Sequence, residues 1–359
     1  MLADAHFRPK MGTDMYLAHL FWTAICLALL MPPSAIALEN SPKVIDDPAY
    51  THAQRLVEVE PGRRLNLYCL GKGSPTVVFD AGAGDENAVW ALVQPVIATH
   101  TRACSYDRAG YGYSDPGKRA GTSANFVDDL RRLLVAAPIN PPYILVGHSF
   151  GGMNVRLYAD TYPAEVVGMV LVDPTLEGWR ESAWKLDKLQ RSREAYVAAQ
   201  IDPDVQARRE CMEAASAGFV EGTDLYKRCV APPNPHFSDE INRALLKIHR
   251  SPGYQQAVST EEENMLGASD DQLLASRRWY GNMPLIVLTA PHARRPSDTQ
   301  ERSDVLNAVW VYLYDQLAAL STRGVVRRVP DTGHYIQLDK PDAVNNAIVE
   351  VLGEATQQK

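Results

Sequence analysis

Compact apolar runs alternate with amphipathic stretches along most of this chain. Thr76-Val-Val-Phe79, Arg102 to Tyr106, Tyr143-Ile-Leu-Val146, Val166 to Val172, Leu285-Ile-Val-Leu288 and Val325 to Val329 are short and strand-like. Between them, apolar residues recur with helical spacing. The first set is Val89, Trp90, Leu92, Val93 and Val96, and the second is Phe126, Leu130, Leu133 and Leu134. Leu306, Val309, Trp310, Leu313 and Leu317 form a third, and Val344, Ile348, Val351 and Leu352 a fourth. Pro341 opens the last of these, where a missing N–H does no harm. Strands that are apolar throughout and separated by helices predict an α/β fold, with a mostly parallel central sheet covered by helices on both faces.

That rhythm breaks between about residues 175 and 280. The stretch is polar and helix-prone, with scattered Trp179, Trp184, Tyr196, Phe219, Tyr226 and Tyr254, and is interrupted by Pro232, Pro233 and Pro235. The expected organisation is one α/β domain over 38–359 with an inserted helical lid at about 175–280. Composition agrees: of 359 residues, 46% are hydrophobic and 22% charged, enough apolar material for one large core. A formal net charge of −7, with no run of Lys and Arg, argues against nucleic acid as a partner. No obligate protein partner is evident.

The first 37 residues read as a secretory signal. Arg8 and Lys10 precede an apolar stretch from Tyr16 to Met31, Pro32-Pro33 ends it, and Ala35-Ile36-Ala37 forms a small-x-small cleavage pattern. The expectation is export to the periplasm or beyond, with cleavage after Ala37. The alternative is an uncleaved N-terminal anchor, although the stretch is short for a bilayer span. A start at Met11 or Met15 would remove both basic residues and weaken the signal. Of five cysteines, Cys26 lies in this leader. Cys69 and Cys104 sit in strand-like runs and read as small buried thiols. Cys211 and Cys229 flank one polar stretch and could pair in an oxidising compartment.

Gly147-His-Ser-Phe-Gly151 matches the G-x-S-x-G nucleophile elbow, extended by Gly152. A strand must turn abruptly into a helix there, leaving the serine strained and its hydroxyl exposed. Glycine at 147 and 151 relieves the crowding that results. The surroundings fit, with a strand at Tyr143 to Val146 and a helix from Met153 to Tyr158. Ser149 is the candidate nucleophile. The side chain of His148 should point into the fold, a structural role, and His292 has a weaker claim to function. Gly71-Lys-Gly-Ser74 lacks phosphate-loop spacing and reads as a hairpin turn. Glu261-Glu-Glu263 reads as a solvated helix face rather than an amine site. Asp107 and Arg108 follow a strand and should organise nearby loops. No His or Cys pattern has metal-ligand spacing, so no metal is expected, and a serine nucleophile with a histidine base needs no cofactor.

Five blocks then fall in one order: Asp80-Ala-Gly-Ala-Gly84, Tyr106-Asp-Arg-Ala-Gly-Tyr-Gly-Tyr-Ser-Asp115, Gly147-His-Ser-Phe-Gly-Gly152, Leu171-Val-Asp-Pro174 and Gly333-His334. In this the chain resembles the α/β-hydrolase superfamily from about Leu65 to Leu352, apart from the middle insertion. The resemblance implies that His334, just beyond the last strand, is the base that takes the serine proton. It implies oxyanion donors at the main-chain N–H of Phe150 and of Ala83, although many relatives have His-Gly where this chain has Ala81-Gly82. The orienting acid stays open. Asp173 is favoured, Asp298 is the alternative, and Glu301 or Asp304 remain. A serine at the elbow argues against epoxide hydrolases and haloalkane dehalogenases, which place aspartate there. The implied activity is hydrolysis of a small-molecule carboxylic ester through an acyl-enzyme. An amide hydrolase of proline-iminopeptidase type is the alternative, and a non-catalytic binding module on the same fold is a third reading.

Overall fold

Eight strands form one sheet in the order β1-β2-β4-β3-β5-β6-β7-β8. They are β1 Leu56–Glu60, β2 Arg63–Leu70, β3 Thr76–Asp80, β4 Ala103–Tyr106, β5 Tyr143–His148, β6 Val166–Val172, β7 Leu285–Thr289 and β8 Gly324–Arg328. β1 pairs antiparallel with β2, and β2 antiparallel with β4; every other neighbour is parallel. This is a computed structural model that describes residues 44–185, 202–291 and 299–357. The expected signal at 1–37, His292 and Asp298 lie outside the described residues.

The core is sandwiched on the two faces of the sheet, and the two-residue period of a strand divides it. Along β5, Tyr143 and Leu145 join one apolar cluster while Ile144 and Val146 join the other. β6 and β7 divide likewise, Met169 and Leu171 with Leu285 and Val287 against Val170 and Val172 with Ile286 and Leu288. The first face is covered by the helices Ser123–Ala136, Phe150–Thr161 and Gln300–Ala318, the second by Trp90, Val93, Ile97 and the helix Pro341–Thr356. Continuous apolar strands are therefore the signature of double coverage, as the sequence pattern implies.

Four local expectations need correction. The single helix expected around Val89 to Val96 is instead a 3₁₀ turn, Asn87–Trp90, followed by a one-turn helix, Gln94–Ile97. Pro95 explains the break, since proline is tolerated in a first turn but not inside a helix. The Gly71–Ser74 turn is not a hairpin, because it joins β2 to β3, and β2 pairs with β4 instead. Cys69 and Cys104 are not free thiols. They stand opposite each other in the β2–β4 pair, Cα atoms 4.1 Å apart, and form a disulfide. The sequence gives no sign of that register, which brings together residues 35 apart. Finally, Glu261 is not solvated; it is fully buried.

Between β6 and β7, the described residues carry the helices Trp179–Lys185, Asp202–Ala217, Asp224–Cys229, Asp239–His249, Pro252–Met265 and Ala268–Ser276. Thr223, Ser238 and Ser251 cap three of them by accepting a main-chain N–H. Cys211 and Cys229 are joined by a disulfide that ties the second helix to the third. Ile45 bridges to this segment through main-chain hydrogen bonds of 2.7 Å to the carbonyl of His236 and 2.9 Å from the N–H of Ser238. Ile45, Phe237, Ile241 and Leu245 form a small core of their own with Tyr50, Ala88 and Leu338.

Candidate active site

The chemistry-bearing residues gather at the carboxyl ends of the parallel strands. β5 ends at His148, in register with Val172, the last residue of β6. One step further along each strand stand Ser149 and Asp173, so register alone makes them neighbours. Ser149 has φ 51° and ψ −120°, a left-handed conformation that a non-glycine residue adopts only under constraint. The constraint is visible in the main chain. The Ser149 N–H donates to the carbonyl of Val172 at 3.1 Å, and its own carbonyl accepts from Gly152 and Thr175 at 2.9 and 3.0 Å.

Glycine is required on both sides of this bend for separate reasons. A Cβ on Gly147 would lie 2.5 Å from the Gly151 carbonyl oxygen and 2.7 Å from the Gly152 Cα. A Cβ on Gly151 would lie 2.4 and 2.5 Å from the carbonyl oxygens of Asp80 and Ala81. The second clash is with the loop after β3, which carries Ala83, and not only within the elbow. Close packing of that loop against the helix Phe150–Thr161 thus depends on Gly151.

His334 lies in the loop after β8, its side chain half exposed. Its Nδ1 is 2.6 Å from Asp173 Oδ2. A carboxylate only accepts, so Nδ1 carries the hydrogen, and Nε2 is left as the basic nitrogen. Asp173 Oδ1 accepts the Ala290 N–H at 3.0 Å and faces the Tyr314 hydroxyl at 3.4 Å. The aspartate, buried and with φ 42°, is therefore held from the β7 side while it holds the imidazole. Among the four carboxylates considered from sequence, Asp173 is the one paired with His334 among the described residues. Asp298 lies outside them, no side-chain position is described for Glu301, and Asp304 is exposed on its helix, accepting from Gln300 at 2.8 Å.

The side chain of His148 is fully buried, as its place before the elbow predicts, and has a partner that sequence reasoning missed. Its Nε2 is 3.0 Å from the main-chain oxygen of His334, and the two rings lie 4.7 Å apart. The elbow strand thus fastens the loop that carries His334. Nothing in the spacing of residues 148 and 334 signals this contact. Asp85 Oδ2 lies 3.6 Å from His148 Nδ1, and Asp85 Oδ1 accepts from the Tyr335 hydroxyl at 3.1 Å. A Cβ on Gly82 would strike both Asp85 Oδ2 and His148 Nδ1, at 2.7 and 2.8 Å, so glycine at 82 makes room for this group.

Two main-chain donors are left without an acceptor here. Phe150 opens its helix and so lacks an intrahelical acceptor, and neither its N–H nor that of Ala83 donates to any described residue. The loop bearing Ala83 is fixed by Arg108, which is buried. Its guanidinium donates to Asp80 Oδ1 at 2.8 Å and to the carbonyls of Ala81 and Gly82 at 2.6 Å each. The same guanidinium pairs with Glu261 at 3.1 Å, and Glu261 in turn accepts the Gly84 N–H. Burial pushes the Glu261 carboxyl up to about 7 against the pull of Arg108. One guanidinium faces two buried carboxylates, and the second charge is left uncompensated. Asp107, as expected of a loop organiser, accepts from Asn87 N at 2.8 Å, Asn66 Nδ2 at 2.8 Å and Tyr113 N at 3.1 Å.

A cavity of about 1250 Å³ opens beside these groups, lined by Ala83 and His334 and walled by Phe237, Leu245, Tyr254 and Val258 from the helical segment. Charged residues from both sides, among them Asp85, Glu86, Arg228, Arg243 and His249, line it beside these apolar walls, and its size suits a small molecule.

Comparison with known proteins agrees with this fold. The chain matches the alpha/beta hydrolase family over residues 77–347. The uncharacterized protein YqjL of Bacillus subtilis (strain 168) is 24% identical over 289 residues, spanning 80% of this chain and 87% of that one. Among solved structures, Cfl2 from Burkholderia cenocepacia superposes with a TM-score of 0.56 at 19% identity, over 86% of this chain and 99% of that one. The meta-cleavage product hydrolase of Pseudomonas fluorescens IP01 gives 0.51 at 18%, over 84% and 98%. At such identities the structural likeness establishes the fold.

Proposed function

The chain belongs to the alpha/beta hydrolase family, and from that premise we propose that it is a serine hydrolase cleaving a carboxylic ester through an acyl-enzyme on Ser149. The observation that carries this reading is the 2.6 Å contact between His334 Nδ1 and Asp173 Oδ2, at the same sheet edge as the strained Ser149. With Nδ1–H committed to Asp173, His334 Nε2 takes the proton of Ser149 Oγ as that oxygen attacks the acyl carbon. The carbonyl oxygen becomes an oxyanion, received by the N–H groups of Phe150 and Ala83. When the tetrahedral centre collapses, the C–O bond to the alcohol breaks and His334 gives that oxygen its proton. Water then attacks the acyl-enzyme, loses a proton to His334, and the acid leaves as Ser149 regains its hydrogen.

An ester is preferred to an aminoacyl amide because the acidic run Glu261 to Glu263, together with Glu86, offers a free amine no unpaired acid. Glu261 is sealed against Arg108, Glu262 lies 3.8 Å from Arg208, and Glu86 pairs with His249. The two disulfides support export to an oxidising compartment, where such bonds persist. Mature protein recovered from the periplasm or medium should begin at Leu38.

The decisive experiment is labelling of the purified protein with a fluorophosphonate, together with ester turnover by Ser149→Ala. Labelling should map to Ser149, and the variant should lose about 10⁴–10⁶ in kcat. A variant retaining most of the activity would refute the assignment.

A further inference from the structure

Glu86 and His249 meet in the wall of the cavity that also holds His334 and Ala83, and the ester mechanism uses neither. Glu86 lies three residues beyond Ala83, and His249 ends the helix Asp239–His249. His249 Nε2 is 2.8 Å from Glu86 Oε1. The imidazole rests on Tyr254, ring centroids 4.5 Å apart and tilted by 30°. Tyr254 is itself anchored by its hydroxyl to the Gly84 carbonyl at 2.8 Å, and Gln255 Nε2 holds the His249 carbonyl at 2.6 Å. The ring is thus held by Glu86 and Tyr254, and its backbone by Gln255, beside the proposed oxyanion loop.

A carboxylate can only accept, so Nε2 carries a hydrogen. The other nitrogen, Nδ1, bonds to none of the described residues, and the side chain is 16% exposed. In a neutral ring it would be an acceptor; in the imidazolium it is a donor. Burial opposes the charged ring, but the charge and hydrogen bond of Glu86 outweigh it, with help from Asp85, and hold the imidazole above its usual value. Other charges share the cavity: Lys227, Arg228, Asp239 and Arg243 line it further out, and Asp85 leaves its Oδ2 without a hydrogen bond among the described residues. Asp85 accepts from Tyr335, Arg208 lies by Glu262, Arg250 pairs with Glu221, and Asp339 accepts the Gly333 N–H. With Glu86 neutralised, what the pair offers the cavity is a charge-assisted N–H donor.

We propose that His249 is a specificity-determining residue that binds a carboxylate carried by the substrate, so that the site takes esters bearing a second, anionic group. This rests on the reading of Ser149 as nucleophile.

The test uses two fluorophosphonates of equal length, one ending in a carboxylate and the other in its methyl ester. The second-order rate of Ser149 labelling is measured for each at pH 6 and pH 9 on the whole protein. The carboxylate probe should react about tenfold faster at pH 6, the scale of one charge-assisted hydrogen bond. The ratio should fall towards one at pH 9, as the imidazolium loses its proton. In His249→Gln the ratio should be near one at both pH values. In Glu86→Gln, which keeps the shape and removes the charge, the fall should move to lower pH. Equal rates in the unaltered protein, or a preference that survives His249→Gln, would overturn the proposal while leaving Ser149 as nucleophile. Failure of both probes to label Ser149 would sink the nucleophile and this inference together.

Discussion

Asp173 divides its two oxygens between tasks, and a single-atom change separates them. Oδ2 receives the imidazole N–H, and Oδ1 receives the main chain of β7 through Ala290. In Asp173→Asn one oxygen becomes an N–H donor. If Oδ1 stays on Ala290, the amide nitrogen faces His334 and favours the tautomer with hydrogen on Nε2, where a base is needed. Ester turnover should then fall by about 10⁴ with the fold intact, which steady-state kinetics beside circular dichroism would check. Retained turnover would remove Asp173 from the mechanism. At this scale the sequence narrows the acid to a few carboxylates and cannot choose, because spacing along the chain says nothing about which one reaches residue 334. It reads Glu261 as a solvated side chain for the same reason: charge is visible in a sequence, and the guanidinium that buries it is not.

Elements were more legible than partners. Strands β3 to β8 follow apolar runs within one or two residues, and the glycines flanking Ser149 announce the elbow. The β1–β2 hairpin escaped notice because β1 is a short edge strand with two of its five residues exposed, so its apolar signal is thin. The Cys211–Cys229 bond acts at this scale too. It closes a sequence separation of 18 between a helix of 16 residues and one of 6, and Cys211, Cys229 and Val230 are all that the small local cluster buries fully among the described residues. So small a cluster gives little packing stability, and a cross-link closing a loop of this length contributes on the order of 3 kcal/mol. Replacing both cysteines by serine should therefore speed proteolytic cleavage within 202–237 markedly, and should leave the global melt of the sheet much less affected. Cleavage at the unaltered rate would show that packing alone holds these helices.

Across the whole molecule, Arg108 is the junction between the sheet, the Ala83 loop and the helix Pro252–Met265. Its second carboxylate, Glu261, is forced towards the protonated form, and this gives the fold a pH signature. A carboxyl raised from about 4.5 in the unfolded chain to about 7 binds more protons when folded across that window. Its contribution is therefore greatest below pH 4.5 and is lost as pH rises to 7. Glu261→Gln should flatten this decline in unfolding free energy, measured by urea titration at several pH values. An unchanged slope would place the proton elsewhere. By itself, the sequence determined the alternation of strands and helices, the strained serine and the order of the motifs, because each follows from backbone periods and sterics within a few residues. The tertiary structure alone decided which side chains meet: Asp173 with His334 across 161 residues, Glu86 with His249 across 163, Arg108 with Glu261 across 153. Those pairings depend on where the chain returns and how much water it excludes, and no local pattern encodes either.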